Sequence, residues 1–108
     1  MDSFEHRLIV YGSLAPGGRN NFLFKGVEGT WHRCVFRGHL GRWRGFKSFR
    51  FDPEGPEHQG WLLCSPALPG IFPDLDDFEG EEYRRLVIPA RVGEQWVRAY
   101  VYEGKFLE

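Results

Sequence analysis

"LDDFEGEEYRR", residues Leu75 to Arg85, places five carboxylates within the eight positions 75–82 and then turns abruptly aromatic and basic. The reading of the whole chain turns on whether this is a solvated acidic turn or a place where one acid is held indoors. Pro73 suits the first turn of a helix, acids gather toward the N-terminal end where they favour the dipole, and Gly80 supplies a stop. A short helix of about two turns is therefore predicted. At about 100° per residue, with Leu75 as zero, Phe78 falls near −60° and Glu79 near +40°, while Asp74, Asp76 and Asp77 lie about 100° or more away. Within the helix, Glu79 is the acid that shares the apolar face. A carboxylate there costs free energy unless it is hydrogen-bonded or paired. Two readings stay open at this point. Either Glu79 pairs with Arg84 or Arg85 or escapes to solvent at a frayed last turn, or it sits in a sheltered cleft with a raised pKa suited to proton transfer near neutral pH.

Outward from this stretch, the chain reads as strands. "RLIVYG", Arg7 to Gly12, is a short β-branched run ended by glycine, the pattern of a buried strand entering a turn. The loop "GSLAPGGRNN" follows, and its Gly12, Pro16, Gly17 and Gly18 exclude regular helix or ladder and leave backbone amides free to bind. Further strands are predicted over Thr30 to His39, Gly45 to Phe51 and Gln59 to Cys64, then over "RLVIPARV" and "WVRAYVY", with "GEQ" marking a tight hairpin between the last two. No repeat or linker interrupts the 108 residues, so a single domain is expected.

Composition narrows the function classes. A net charge of −1 and a pI near 6.4 give no overall pull toward nucleic acid or membrane. The charge is nevertheless uneven: from Gly29 to Phe51 every ionised side chain is basic (Arg33, Arg37, Arg42, Arg44, Lys47, Arg50), whereas from Asp52 to Tyr83 the chain carries acids and one histidine. Phe36, Trp43, Phe46, Phe49 and Phe51 interleave with the basic run. That pattern fits a stacking platform for single-stranded nucleic acid, or, as preferred here, a strand pair with one packed and one solvated face. Cys34 and Cys64 are far apart and inside apolar stretches, which reads as two reduced thiols rather than a disulfide. His6, His32, His39 and His58 lack metal-ligand spacing, and no metal or other cofactor is expected. The amino terminus "MDSFEHR" lacks the pattern of a secretory signal and the apolar runs are short, so a cytoplasmic protein is expected.

Read together, "YGSLAPGGRNN" and "LDDFEGEEYRR" resemble the γ-glutamylcyclotransferase-like, or AIG2-like, family. Tyr11, Gly12, Ser13, Leu14, Gly17 and Asn20 match the first family motif; Leu75, Asp76, Phe78, Glu79, Gly80, Tyr83 and Arg85 match the second; "AYVY", Ala99 to Tyr102, resembles the last strand. The resemblance implies an α+β fold, a small mixed β-barrel of about five or six strands with one or two short helices. It also implies an enzyme that releases an amine from a γ-glutamyl compound by letting the substrate's own α-amino nitrogen close the 5-oxoproline ring. Glu79 would be the general acid/base, the amides of Gly12, Ser13 and Leu14 would receive the substrate's carboxylate or oxyanion, and Tyr11 and Tyr102 would line the pocket. Arg85 is expected to be a structural pairing residue, and Asp76 to brace the helix. Where the family often carries Gly-Glu-aromatic, this chain has "GWLLC" from Gly60, so one common acid is replaced. The partner implied is a small γ-glutamyl substrate, without nucleic acid or membrane. The alternative is a non-catalytic protein that binds a γ-glutamyl or amino-acid-like ligand in the same cavity.

Overall fold

The computed structural model describes residues 3–105. Six strands form in the expected places: β1 (Arg7–Val10), β2 (Thr30–Trp43), β3 (Phe46–Phe51), β4 (Glu57–Cys64), β5 (Tyr83–Val92) and β6 (Gln95–Gly104). Among the described residues one α-helix, α1 (Leu68–Glu79), lies between β4 and β5, and short 3-10 turns cover Phe4–His6 and Asn21–Phe24. The sheet order is β3-β2-β4-β1-β6-β5, and a bridge between Val35 of β2 and Arg91 of β5 closes five strands into a barrel that leaves β3 outside the ring. β1 runs parallel to β6 and the other pairings are antiparallel, so the barrel is mixed, as expected.

β1 shows why "LIV" is apolar at successive positions. It lies between β4 and β6 and is covered on both faces, so the usual alternation of polar and apolar disappears. Ile9 packs inward with Phe36, Phe49, Leu62, Ile88 and Val101, while Leu8 and Val10 pack with Leu68, Phe72, Leu75 and Tyr102, in the layer where α1 lies on the barrel. Phe36 and Phe49, both fully buried, meet edge to face at 5.2 Å. That geometry adds to the roughly 1.5–3 kcal/mol that burying each such side chain contributes.

β2 is longer than expected, running through Gly41 to Trp43 instead of ending at His39. Its first half, Thr30 to Arg37, pairs with β4, and from Gly38 onward it pairs with β3. The change of partner occurs at Gly38, whose φ of 153° and contact with the Phe49 ring and the Arg50 carbonyl leave no room for a Cβ. The β2–β3 hairpin closes through Arg44 and Gly45, both at positive φ, a two-residue turn whose twist matches that of the strands. Phe36 and Phe49 of the basic-aromatic stretch are thus core residues, unavailable for stacking.

The helix corrects the expected boundaries. It begins at Leu68, with proline at its first positions, and Pro73 lies inside it, so it is longer than the two turns predicted from Pro73. Ser65 organises the entry: its hydroxyl accepts from the Ala67 amide at 3.1 Å and donates to the Glu28 carbonyl. The buried positions are Leu68, Phe72 and Leu75, and the next position of that stripe is Glu79. Taken from the earlier start, the stripe is centred near Glu79, and Phe78 falls to its edge, where it is 47% exposed instead of packed. The helix ends at Gly80, whose φ of 82° requires glycine and whose amide closes on the Asp76 carbonyl at 3.0 Å. Among the described residues no helix is long and apolar enough to cross a membrane.

Candidate active site

At one end of the barrel a cavity of about 750 Å³ opens between the β1 exit loop, the end of α1, β6 and the β2–β3 hairpin. All six residues singled out from the sequence line it: Tyr11, Gly12, Ser13, Leu14, Glu79 and Tyr102. They converge because β1 and β6 are neighbours in the barrel, while the stripe that docks α1 turns Glu79 toward the same opening.

Glu79 is the electrostatic exception among the acids. Arg84, one partner considered from sequence, is held 2.8 Å from the buried carboxylate of Glu103. Arg85, the other, is held by Asp76 through Nε–Oδ1 at 3.0 Å and Nη2–Oδ2 at 3.2 Å, and its guanidinium lies over the rings of Phe72 and Tyr100. Glu79 is left with no hydrogen bond or ion pair among the described residues. Burial alone pushes its carboxyl up to about 7. Three positions earlier, Asp76 behaves in the opposite way. Burial also disfavours its charge, but the hydrogen bonds from Arg85 and from Tyr102 Oη, the latter at 2.7 Å, outweigh it and hold the group below the usual carboxylate range. Two acids on adjacent turns therefore carry different charge states near neutral pH, the arrangement that separates a proton-transfer group from a structural anion.

The tyrosines frame the cavity. Tyr11 Oη donates to the Tyr102 carbonyl at 2.6 Å and its ring packs 5.6 Å from that of Phe49. Tyr102, 4% exposed, is fixed through Asp76. Burial first, and nearby carboxylates second, push the hydroxyls of Tyr11, Tyr83 and Tyr102 upward, so all three remain protonated donors. Glu79 is among those carboxylates for each of them.

The β1 exit loop is pinned from below. Asn20 donates through Nδ2 to Ser13 Oγ at 2.9 Å and through its amide to the Ser13 carbonyl at 2.8 Å, and Asn21 Nδ2 donates to the Leu14 carbonyl at 2.7 Å. The carbonyls are thereby occupied, while the amides of Gly12, Ser13 and Leu14 donate to no carbonyl among the described residues. Unpaired N–H groups in a turn are available to an incoming acceptor. Gly12 has ordinary backbone geometry, and a Cβ there would meet only Lys47 Cβ, at 3.8 Å; its missing side chain leaves space at the cavity wall instead of relieving strain.

Sequence reasoning left out Arg19, Arg42, Phe46, Lys47, Glu82 and Tyr83 as cavity residues. The interleaved basic and aromatic residues of 42–47 were the available signal, but only the hairpin's fold over the opening gives them their place. Glu82 secures that hairpin by accepting from Trp43 Nε1 and lying 3.7 Å from Arg44. Cys34 and Cys64 are free thiols, the first buried and the second half-buried. Among the described residues no three ligand-type side chains cluster as a metal site would require.

Comparison with known proteins establishes the fold. No protein-family model and no curated protein matches the chain. Solved structures do. The chain superposes on YkqA from Bacillus subtilis with a TM-score of 0.76 at 21% identity, over 99% of this chain and 37% of that one. It superposes on an AIG2-like protein, GGACT, from Mus musculus with a TM-score of 0.72 at 16% identity, over 94% and 78% of the two chains. An Arabidopsis thaliana protein solved in solution gives 0.66 at 20% identity, over 94% and 70%. The chain thus spans little more than a third of YkqA's length. The fold is AIG2-like and γ-glutamylcyclotransferase-like: a closed five-stranded barrel with an additional strand and one helix.

Proposed function

We propose that the chain is a γ-glutamylcyclotransferase-type enzyme that releases an amine or amino acid from a γ-glutamyl compound and forms 5-oxoproline. The observation that carries this reading is Glu79: an unpaired carboxylate on the apolar stripe of α1 that lines a cavity, its carboxyl pushed up to about 7 by burial. The fold shared with GGACT supports it at the level of architecture. A cytoplasmic location belongs to the same reading and is supported by the two free thiols.

In the proposed reaction Glu79, as carboxylate, takes a proton from the substrate's α-ammonium. The freed nitrogen attacks the γ-carbonyl, a bond forms from the α-nitrogen to the γ-carbon, and negative charge develops on the carbonyl oxygen. The protonated Glu79 gives that proton to the leaving nitrogen as the oxyanion collapses and the bond from the γ-carbon to that nitrogen breaks; the ring nitrogen's remaining excess proton then passes by way of Glu79 to the freed amine, which departs as an ammonium ion and leaves Glu79 a carboxylate. No nucleophilic side chain takes part. Holding nitrogen and carbonyl within reach supplies much of the acceleration. The amides of Gly12, Ser13 and Leu14 receive the α-carboxylate or the oxyanion, and the tyrosines line the pocket with their hydroxyl protons already given to the Tyr102 carbonyl, Asp76 and the Lys47 carbonyl. A carboxyl group near 7 suits both transfers, because a large share of each protonation state is present at neutral pH.

The test is 5-oxoproline release from a panel of γ-glutamyl amino acids and amines, comparing the wild type with Glu79→Gln. Release that the substitution lowers by about 10²–10⁴-fold, with the melting curve preserved, is expected. Equal release by the variant removes Glu79 from catalysis, and binding of panel members without any release identifies a binding protein instead.

A further inference from the structure

We propose that Asp76 is a positioning residue for Glu79: it captures the Arg85 guanidinium and so keeps that cation from closing on the acid one helical turn away. For its kinetic consequence the inference rests on the function proposed above; for its geometry it does not.

Asp76 and Glu79 are three residues apart on α1, a spacing that sets side chains about 5–6 Å from each other on one flank of a helix. Phe72 lies four residues before Asp76 on the same flank. Arg85 meets this row from β5, where it pairs with Tyr102 of β6. Four contacts hold it at the Phe72 and Asp76 end. Nε and Nη2 each donate to one carboxylate oxygen of Asp76, at 3.0 and 3.2 Å, and the guanidinium lies 4.1 Å from the Phe72 ring centroid and 4.4 Å from that of Tyr100. A guanidinium matched at two points to a carboxylate and covered by rings has little freedom to turn elsewhere. Asp76 in turn is fixed by the Tyr102 hydroxyl, which donates to Oδ1 at 2.7 Å.

Exposure decides which acid takes the cation. With 44% of its side chain exposed, Asp76 ionises at little cost, whereas ionising the more sheltered Glu79 costs desolvation. The other charged groups around Glu79 are occupied or lie on other walls. Arg84, next to Arg85 on β5, is held at 2.8 Å by Glu103, which also accepts from the Phe51 amide at 2.7 Å. Glu82 is engaged with Trp43 and Arg44. Arg19, Arg42 and Lys47 line the cavity from the β1 exit loop and the β2–β3 hairpin and make no ion pair with Glu79. Tyr11, Tyr83 and Tyr102 give their hydroxyl protons to other acceptors. Asp76 is thus what separates Glu79 from the cation that β5 brings to its flank of the helix.

The test follows the titration midpoint of the Glu79 carboxyl by carbon-detected NMR in the wild type, in Asp76→Asn and in Asp76→Asn/Arg85→Met. Asparagine keeps the shape and an oxygen for Tyr102 but carries no charge for Arg85. In the single variant the midpoint is expected to fall by about one unit or more as Arg85 turns to Glu79, a roughly tenfold weaker hold on the proton. Adding Arg85→Met is expected to return it to the wild-type value. The fall is expected to persist at about 1 M salt, because a contact pair is screened far less than a distant charge. Should Asp76→Asn not fold, Asp76→Ser, which also accepts from Tyr102 but cannot hold a guanidinium at two points, takes its place with the same expectations. A midpoint that does not fall, a fall that Arg85→Met leaves in place, or a fall that salt abolishes overturns the inference; the second would mean that the helix end had merely loosened. 5-Oxoproline release from γ-glutamyl-phenylalanine is measured in parallel against pH, and its acid limb is expected to move to lower pH in Asp76→Asn and to return in the double variant. Release by the wild type with an unmoved midpoint in Asp76→Asn refutes the positioning role and leaves the catalytic reading in place. A midpoint that falls and is restored, without release by the wild type, upholds the positioning role and refutes the catalytic reading.

Discussion

Asp76 and Glu79 stand one helical turn apart, and their environments push them in opposite directions. Asp76 is held as an anion by Arg85 and Tyr102, whereas Glu79 has only burial, which favours its neutral form. For Glu79 the folded state binds a proton more tightly than the unfolded chain does. The resulting stability is fully present below the usual value of 4.5 and is lost as pH rises through about 7. Glu79→Gln keeps the shape and removes the ionisation, so it is expected to raise stability at pH 8 by on the order of 1–3 kcal/mol and to leave it unchanged at pH 4. Thermal melts of both proteins at the two pH values check this. An equal effect at both would mean that the side chain acts through packing and not through its charge.

At the scale of elements, the helix end is the part whose geometry matters most. Gly80 holds a φ of 82° in open space, with nothing within 4 Å of where a Cβ would stand. Gly80→Ala therefore meets no neighbouring atom, and its cost is the backbone strain of a positive φ at ψ −177°, about 1–3 kcal/mol. Because Glu79 precedes it directly, the same substitution is expected to lower 5-oxoproline release by more than the stability loss explains, measured at a temperature where both proteins are fully folded. Most elements were legible in the chain. β1, β5 and β6 follow from runs with β-branched residues, β3 and β4 from aromatic and leucine-rich runs between glycine and proline turns, and each lies within a few residues of its expected span. Two boundaries were not. Pro73 looks like a first-turn proline, but Pro69 holds that place, and the apolar residues Leu68 and Phe72 bury enough surface for the helix to tolerate a proline inside it. In β2 the expected span stops at His39, ahead of Gly41, whereas the strand runs on to Trp43 and uses Gly38 as the point at which it exchanges β4 for β3.

At the scale of the whole molecule, the uneven charge of the sequence becomes a spatial arrangement. The basic stretch folds as the β2–β3 hairpin and the acidic stretch as the end of α1 and its exit, and both reach the same cavity. Barrel closure causes this. β2 crosses from β4 to β5 and carries its hairpin over the opening, while the parallel pairing of β1 with β6 sets Tyr11 beside Tyr102. The six site residues were legible because they sit in two compact motifs. The cations facing them were not, because their role depends on which way a hairpin folds, and periodicity within one strand carries no such information. Glu79's isolation was also beyond the sequence, since Arg84 and Arg85 stand close enough along the chain to have paired with it. The central claim is that this one acid is held indoors and unpaired. The most direct measurement is a pH titration of the Glu79 side-chain carboxyl by carbon-detected NMR, with Glu79→Gln identifying its resonance. A midpoint near 7 is expected. A midpoint near the ordinary 4.5 would place Glu79 in water or against a cation and contradict the account.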